Sequence, residues 1–170
     1  MMPREHSLQE QFFPTSTCFG CGPRNPDGLQ LRSFRDTGAD LGLARSIADF
    51  VTLPRHDNGL GYVNGGIIAT LLDCHSAGSA LLMAEQLGWV TADGAAYPCV
   101  TAGMDLRYLR PTPLCQHLDL SAQVTECSDE EISVIATLSV DAKVRAEALV
   151  RWRRWRPRQP HQVVSSSSHS

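Results

Sequence analysis

The residues best suited to chemistry lie between His56 and Ser79, in the run HDNGLGYVNGGIIATLLDCHSAGS. A glycine pair, Gly65-Gly66, opens an apolar stretch, and a single carboxylate, Asp73, follows two turns later. Backbone N–H groups in a first helical turn have no partner within the helix. Gly65 and Gly66 can therefore offer bare donors to an anion or a polarised carbonyl, and their lack of a side chain lets a ligand approach. The helical rise puts Asp73 about 11 Å further along the axis. Taken as residues alone, Asp73 fits a structural carboxylate capping a loop as well as it fits a general base, and the glycine pair fits a tight helix start as well as an anion site. Asn64 is among the best residues for an N-cap. His75 lies about 200° round the helix from Asp73, so the two cannot act as a pair, and His75 is expected in the core or an interface.

Cys18-x2-Cys21 invites a metal reading, but a tetrahedral zinc site takes four ligands and no second close pair follows, so no metal site is expected. Cys74, Cys99, Cys115 and Cys127 are isolated in the sequence and are expected to be small buried apolar residues without a catalytic thiol. There is no glycine-rich phosphate loop, no His-Glu-x-x-His pair and no serine nucleophile elbow.

Asp73 and the glycine pair need a helix to hold them. Ile67, Ile68, Leu71, Leu72, Leu81, Leu82 and Leu87 recur at spacings of three and four, which predicts one long helix from Gly65 to Leu87 with Gly88 as its stop. The small residues Ala77, Gly78, Ser79 and Ala80 in its middle suit close contact with a sheet. Before it, an alternation from Leu29 to Phe34, and another from Leu41 to Ile47, flank Asp36-Thr37-Gly38 and predict a hairpin. After it, Val100–Leu109, Leu118–Glu126, Ile132–Val140 and Val144–Trp155 read as four strands. Two strands, one helix and four strands make an α+β domain, with the helix across the concave face of a curled antiparallel sheet of about six strands. Residues 1–28 read as an N-terminal extension and loop, rich in turn signals such as Asn25-Pro26-Asp27-Gly28. Residues 29–156 form the domain, and residues 157–170 are expected to be a flexible tail.

Composition narrows the class. At 42% hydrophobic and 19% charged, with net charge −3, the chain can build a real core. Five of its 15 basic residues sit in the acid-free run Arg151–Arg158, leaving 10 basic against 18 acidic residues over positions 1–150, a body of about −8 that would repel nucleic acid. The basic run reads equally as a strand end with arginines on its solvated face. The N-terminal segment lacks the apolar block of a signal peptide, and the cysteines read as reduced thiols, so a cytoplasmic protein is expected, neither membrane-bound nor disulfide-stapled.

Asn58, the Asn64-Gly65-Gly66 run and Asp73 match, spacing for spacing, the pattern Asn-x5-His-Gly-Gly-x6-Asp. In this the chain resembles the hotdog-fold acyl-CoA thioesterases of the phenylacetate-pathway (PaaI-like) type. CFGCGPRNPDGLQL (18–31) and VTAGMDLRYLRPTP (100–113) also look like segments of these proteins, so the likeness covers about residues 15–155. It implies a hotdog domain that hydrolyses an acyl-CoA to a free acid and coenzyme A, without a cofactor. In it Asp73 would be nucleophile or general base, the Gly66 N–H would polarise the thioester oxygen, and Asn58 would help place water or carbonyl. Gly65 would line the substrate, and Thr101 would come from the partner's strand to position the attacking water. Arg107, Arg110 and the Arg151–Arg158 run would meet the coenzyme A phosphates, and Ala77, Gly78 and Ala80 would leave room for the acyl chain. The site would lie at the interface of a homodimer or a dimer of dimers. Asn64 stands where the family carries His and hydrogen-bonds without titrating. A hotdog dehydratase would need a His at that helix start. A non-catalytic acyl-CoA-binding or regulatory domain is the stronger alternative, against which the presence of Asn58 and Asp73 argues.

Overall fold

The computed structural model describes residues 6–38, 44–91 and 97–156. A short helix α1 (Leu8–Phe12) precedes β1 (Ser33–Arg35) and β2 (Arg45–Val51); a 3-10 turn (Pro54–His56) leads to the long helix α2 (Gly65–Gln86). β3 (Cys99–Tyr108), β4 (His117–Cys127), β5 (Glu131–Val140) and β6 (Lys143–Arg154) complete one antiparallel sheet in the order β1-β2-β4-β5-β6-β3. This is the hotdog fold.

α2 lies on the inner face of the sheet. Leu118, Leu120, Ala122 and Val124 of β4, Ile132 to Val140 at every second position of β5, and Ala146, Ala148, Val150 and Trp152 of β6 are buried, while the intervening residues face outward. In register, Ala122 pairs with Ala136 and Ala136 with Ala148, so a row of alanines crosses the sheet beneath the helix. The helix answers with small residues of its own: Ser79 Oγ donates to the Ala122 carbonyl at 3.1 Å, and a Cβ on Gly78 would come within 2.9 Å of Leu8. Small residues on both surfaces let backbone approach backbone. α2 is apolar on nearly all sides because it is wrapped, not because it crosses a bilayer: 78% of its most apolar window is buried in the fold. It ends in a Schellman motif, with Gly88 at φ +67°, the Gly88 N–H on Glu85 O and the Trp89 N–H on Ala84 O.

The structure departs from the expected elements in two places. Leu29 and Leu31 are buried but precede β1, since Gln30 has φ +57° and the Leu29 and Leu31 N–H groups bond to Phe19 O and Gly20 O of the preceding loop instead of a strand. α1 was not anticipated, although Ser7-x-x-Glu10 forms a capping box at its start. It is tied into the core: Gln9 is buried, its Oε1 accepts from Ser33 N at 2.7 Å and its Nε2 donates to Ser33 Oγ, which also meets His75 Nδ1 at 2.9 Å. His75 is thus a core residue, held neutral by burial with its pKa lowered to about 4. The start of the second predicted strand at Leu41 and the tail from Pro157 lie outside the described residues.

Candidate active site

Asp73 projects from the middle of α2 into an apolar cavity of about 220 Å³, whose walls include Phe13, Ala77, Leu81, Tyr97, Val100 and Trp152. Its Oδ1 accepts a hydrogen bond from Thr101 Oγ1 at 2.8 Å. Burial pushes its pKa above the ordinary carboxylate value, the Thr101 bond opposes that shift, and the neighbouring Cys18 adds to it. Thr101 reaches Asp73 within the same chain, where the sequence predicted a partner's strand. The register explains why: Thr101 pairs with Trp152, whose side chain faces inward and donates from Nε1 to Ser76 Oγ at 3.0 Å, and opposed residues point to the same side of a sheet. A register shift between Thr101 and Gly103 then turns the rest of β3 relative to the helix.

The start of α2 forms a second, more open groove, lined among others by Asn58, Gly65, Gly66, Tyr108 and Arg110. Here the expectation of bare donors is only half right. Asn64 is the N-cap, and its side-chain oxygen accepts from the Gly66 N–H at 2.8 Å, so that donor is already engaged. The Tyr108 hydroxyl, unforeseen in the sequence, donates to the Gly65 carbonyl at 2.8 Å and lies where a Cβ on residue 65 would crowd it. The Asn58 side-chain oxygen accepts from Leu60 N at 2.8 Å and Tyr62 N at 3.4 Å, so it organises the loop before the helix.

Arg110 lies on this groove and donates to Val144 O at 2.9 Å. Arg107 does not line it; it is exposed and pairs with Glu147 at 3.3 Å. The basic run is similarly answered as far as residue 156: Arg151 pairs with Asp105 at 2.8 Å, Arg153 with Glu131, Arg156 with Glu130, and Arg154 stacks over Trp89. It is a solvated strand face with its own acids. Of the small helix residues expected to leave acyl room, only Ala77 borders the Asp73 cavity; Gly78 is filled by Leu8, Ser33 and Ser46, and Ala80 is fully buried.

The cysteines also depart from expectation. Cys115 and Cys127 are exposed, and Cys74 is not isolated: its Sγ lies 3.7 Å from that of Cys18, with Cys21 beside them. Together with Phe13, Cys18 and Cys21 bring the N-terminal segment into the wall of the Asp73 cavity. The segment's turn signals were legible, but nothing in the spacing showed that it folds back over α2.

Comparison with known proteins agrees with this architecture. The family model of the Thioesterase superfamily matches residues 60–147, more than half of the chain, and the chain belongs to that superfamily. Among solved structures, a Thioesterase superfamily protein from Shewanella loihica is similar at 26% identity and TM-score 0.60, over 84% of this chain and 97% of that one. A phenylacetic acid degradation-related protein from Ralstonia eutropha shares the fold at 22% identity and TM-score 0.62, over 87% and 99% of the two chains. A variant of the phenylacetic acid degradation protein PaaI from Thermus thermophilus shares it at 16% identity and TM-score 0.56, over 66% and 86%. No curated protein matches the sequence significantly.

Proposed function

We propose that this thioesterase superfamily member hydrolyses an acyl-CoA, with Asp73 as nucleophile or general base. The observation that carries the reading is a lone carboxylate, oriented by Thr101 and raised in pKa by burial, at the wall of an apolar cavity suited to an acyl group. Asp73 either attacks the carbonyl carbon itself, leaving a mixed anhydride that water opens, or takes a proton from water that attacks. In both routes thioester and water give the free acid and the coenzyme A thiol. A thioester is labile enough for a carboxylate and a few hydrogen-bond donors to suffice.

In this reading the donors come from the helix start of a second subunit, where the Gly66 N–H must pass from Asn64 to the thioester oxygen. Within one chain Gly65 and Gly66 lie about 11 Å along the axis from Asp73, too far to share one carbonyl. β3 is an edge strand of ten residues, mostly exposed, with Thr101 near one end and Tyr108 at the other. Antiparallel pairing of β3 with β3 of a second copy would cover both edges and lay the Asp73 cavity of one beside the Gly65 groove of the other. Arg110, on that groove, is then the cation placed for a coenzyme A phosphate.

Thiol release from a panel of acyl-CoA esters, compared for the parent and Asp73→Asn, tests the reading; a folded Asp73→Asn protein with undiminished turnover overturns it. A second reading rests on one observation, the occupation of the Gly66 N–H by Asn64: a binding or regulatory domain whose oxyanion donor is closed. It predicts saturable acyl-CoA binding with no thiol release.

A further inference from the structure

The mechanism uses neither Cys18, Cys21 nor Cys74, yet their three sulfur atoms all lie within 4.8 Å of one another. We propose that Cys18, Cys21 and Cys74 form a zinc site that clamps the N-terminal loop onto α2, with a fourth coordination position open to the Asp73 cavity. The inference stands independently of thioester hydrolysis.

Geometry carries it. Two sulfurs on one tetrahedral zinc, each bonded at about 2.3 Å, stand about 3.8 Å apart. Cys18 and Cys74 are separated by 3.7 Å. The loop that delivers the first two ligands is shaped around them. A Cβ on Gly20 would lie 2.3 Å from Cys74 Sγ, so only glycine lets the loop close on the helix. A Cβ on Gly22 would lie 2.4 Å from Cys18 N; its own N–H donates to the Cys18 carbonyl at 2.9 Å, locking a tight turn in which Cys18 and Cys21 point the same way. The Cys18 and Cys74 sulfurs are in hydrogen-bonding contact, and the Cys21 sulfur completes the cluster. Three thiol sulfurs converging this closely form a soft donor set suited to zinc, which binds them as thiolates in place of their protons. Each Zn–S bond replaces one of those protons, which leaves to solvent. The three sulfurs border the cavity that also holds Asp73 and Thr101, so the remaining position takes water or a ligand donor atom. Closure of a segment 53 positions away in sequence onto α2 is also the kind of link that a cation stabilises most.

The test uses the full chain, reduced with a non-chelating phosphine and titrated with cobalt(II) and zinc(II). Expected are one metal per chain by mass spectrometry, tetrahedral cobalt bands with thiolate charge transfer, and displacement of cobalt by zinc. Cys21→Ser and Cys74→Ala, checked for folding by circular dichroism, should weaken binding on the order of a hundredfold or more, whereas Cys115→Ser/Cys127→Ser should bind like the parent. Absence of thiolate charge transfer in the reduced parent overturns the proposal. So does metal uptake that survives Cys21→Ser and Cys74→Ala, or conversion of Cys18 and Cys74 to a disulfide with zinc present in excess.

Discussion

The two ends of the candidate site sit on one helix and differ in how their polar groups are satisfied. At the start of α2, the Gly66 N–H is held by Asn64, the Gly65 carbonyl by Tyr108 and the Asn58 oxygen by its own loop, all in an open groove. In the middle of α2, Asp73 has one hydroxyl partner in an apolar cavity, and its raised pKa reflects that deficit. A polar group already satisfied by its neighbours serves the fold first. A carboxylate held at a cost in desolvation is the one whose presence asks for a functional reason.

That contrast breaks most visibly at Asp73. Asp73→Asn should lower kcat by roughly a hundredfold or more with binding retained. Stability should move the other way. A carboxyl whose folded pKa is raised contributes stability that is fully present below the unfolded value and is lost as pH rises through the folded one. At neutral pH the charged Asp73 is therefore a burden, and Asp73→Asn should melt no lower than the parent, an advantage that fades in thermal melts taken below the carboxylate range. A variant that loses both activity and stability would make Asp73 structural.

If the two ends act across subunits, neither half-site suffices in one chain. Asp73→Asn and Gly66→Val proteins, each inactive, should regain roughly a quarter of parental activity when co-expressed, since random pairing gives half heterodimers with one intact site each. No recovery in a confirmed heterodimer would place both ends of the reaction in one subunit.

Thr101→Val removes the bond that holds the Asp73 pKa down. The acidic limb of the pH–rate profile should shift to higher pH, and kcat should fall about tenfold or less. An unmoved limb would assign that limb to another group.

Asn64→Ala sharpens the other end of the comparison. Loss of the cap should cost about 1 kcal/mol in denaturant unfolding. It also frees the Gly66 N–H, so turnover should hold or rise; a large loss of kcat would mean that the Asn64 amide itself touches substrate. Asn64→His should keep the fold and bring an ionisation near pH 6.5 into the profile.

Away from both ends of the site lies His75, buried and neutral with a pKa lowered to about 4. The unfolded chain binds its proton first, so stability should decline as pH falls from about 6.5 towards that value. His75→Gln should flatten the decline in melts across that range.

The sequence by itself determined the long helix and the four strands after it. Apolar spacing of three and four placed α2 within one residue of its observed span, period-two alternation placed β3 to β6, and the position of Asp73 followed from residue counting, because these signals are local and repeat along the chain. Only the tertiary structure decided which polar groups were left over. That Asn64 closes Gly66 is a rotamer choice; that Thr101 reaches Asp73 follows from its register opposite Trp152; that Arg107 pairs with Glu147 depends on β3 lying beside β6. The meeting of Cys18 and Cys21 with Cys74 is the extreme case, since it needs a loop without periodicity to fold back onto a helix more than fifty residues away. Contacts between distant segments are fixed by packing of the whole domain, and spacing along a chain carries no measure of them.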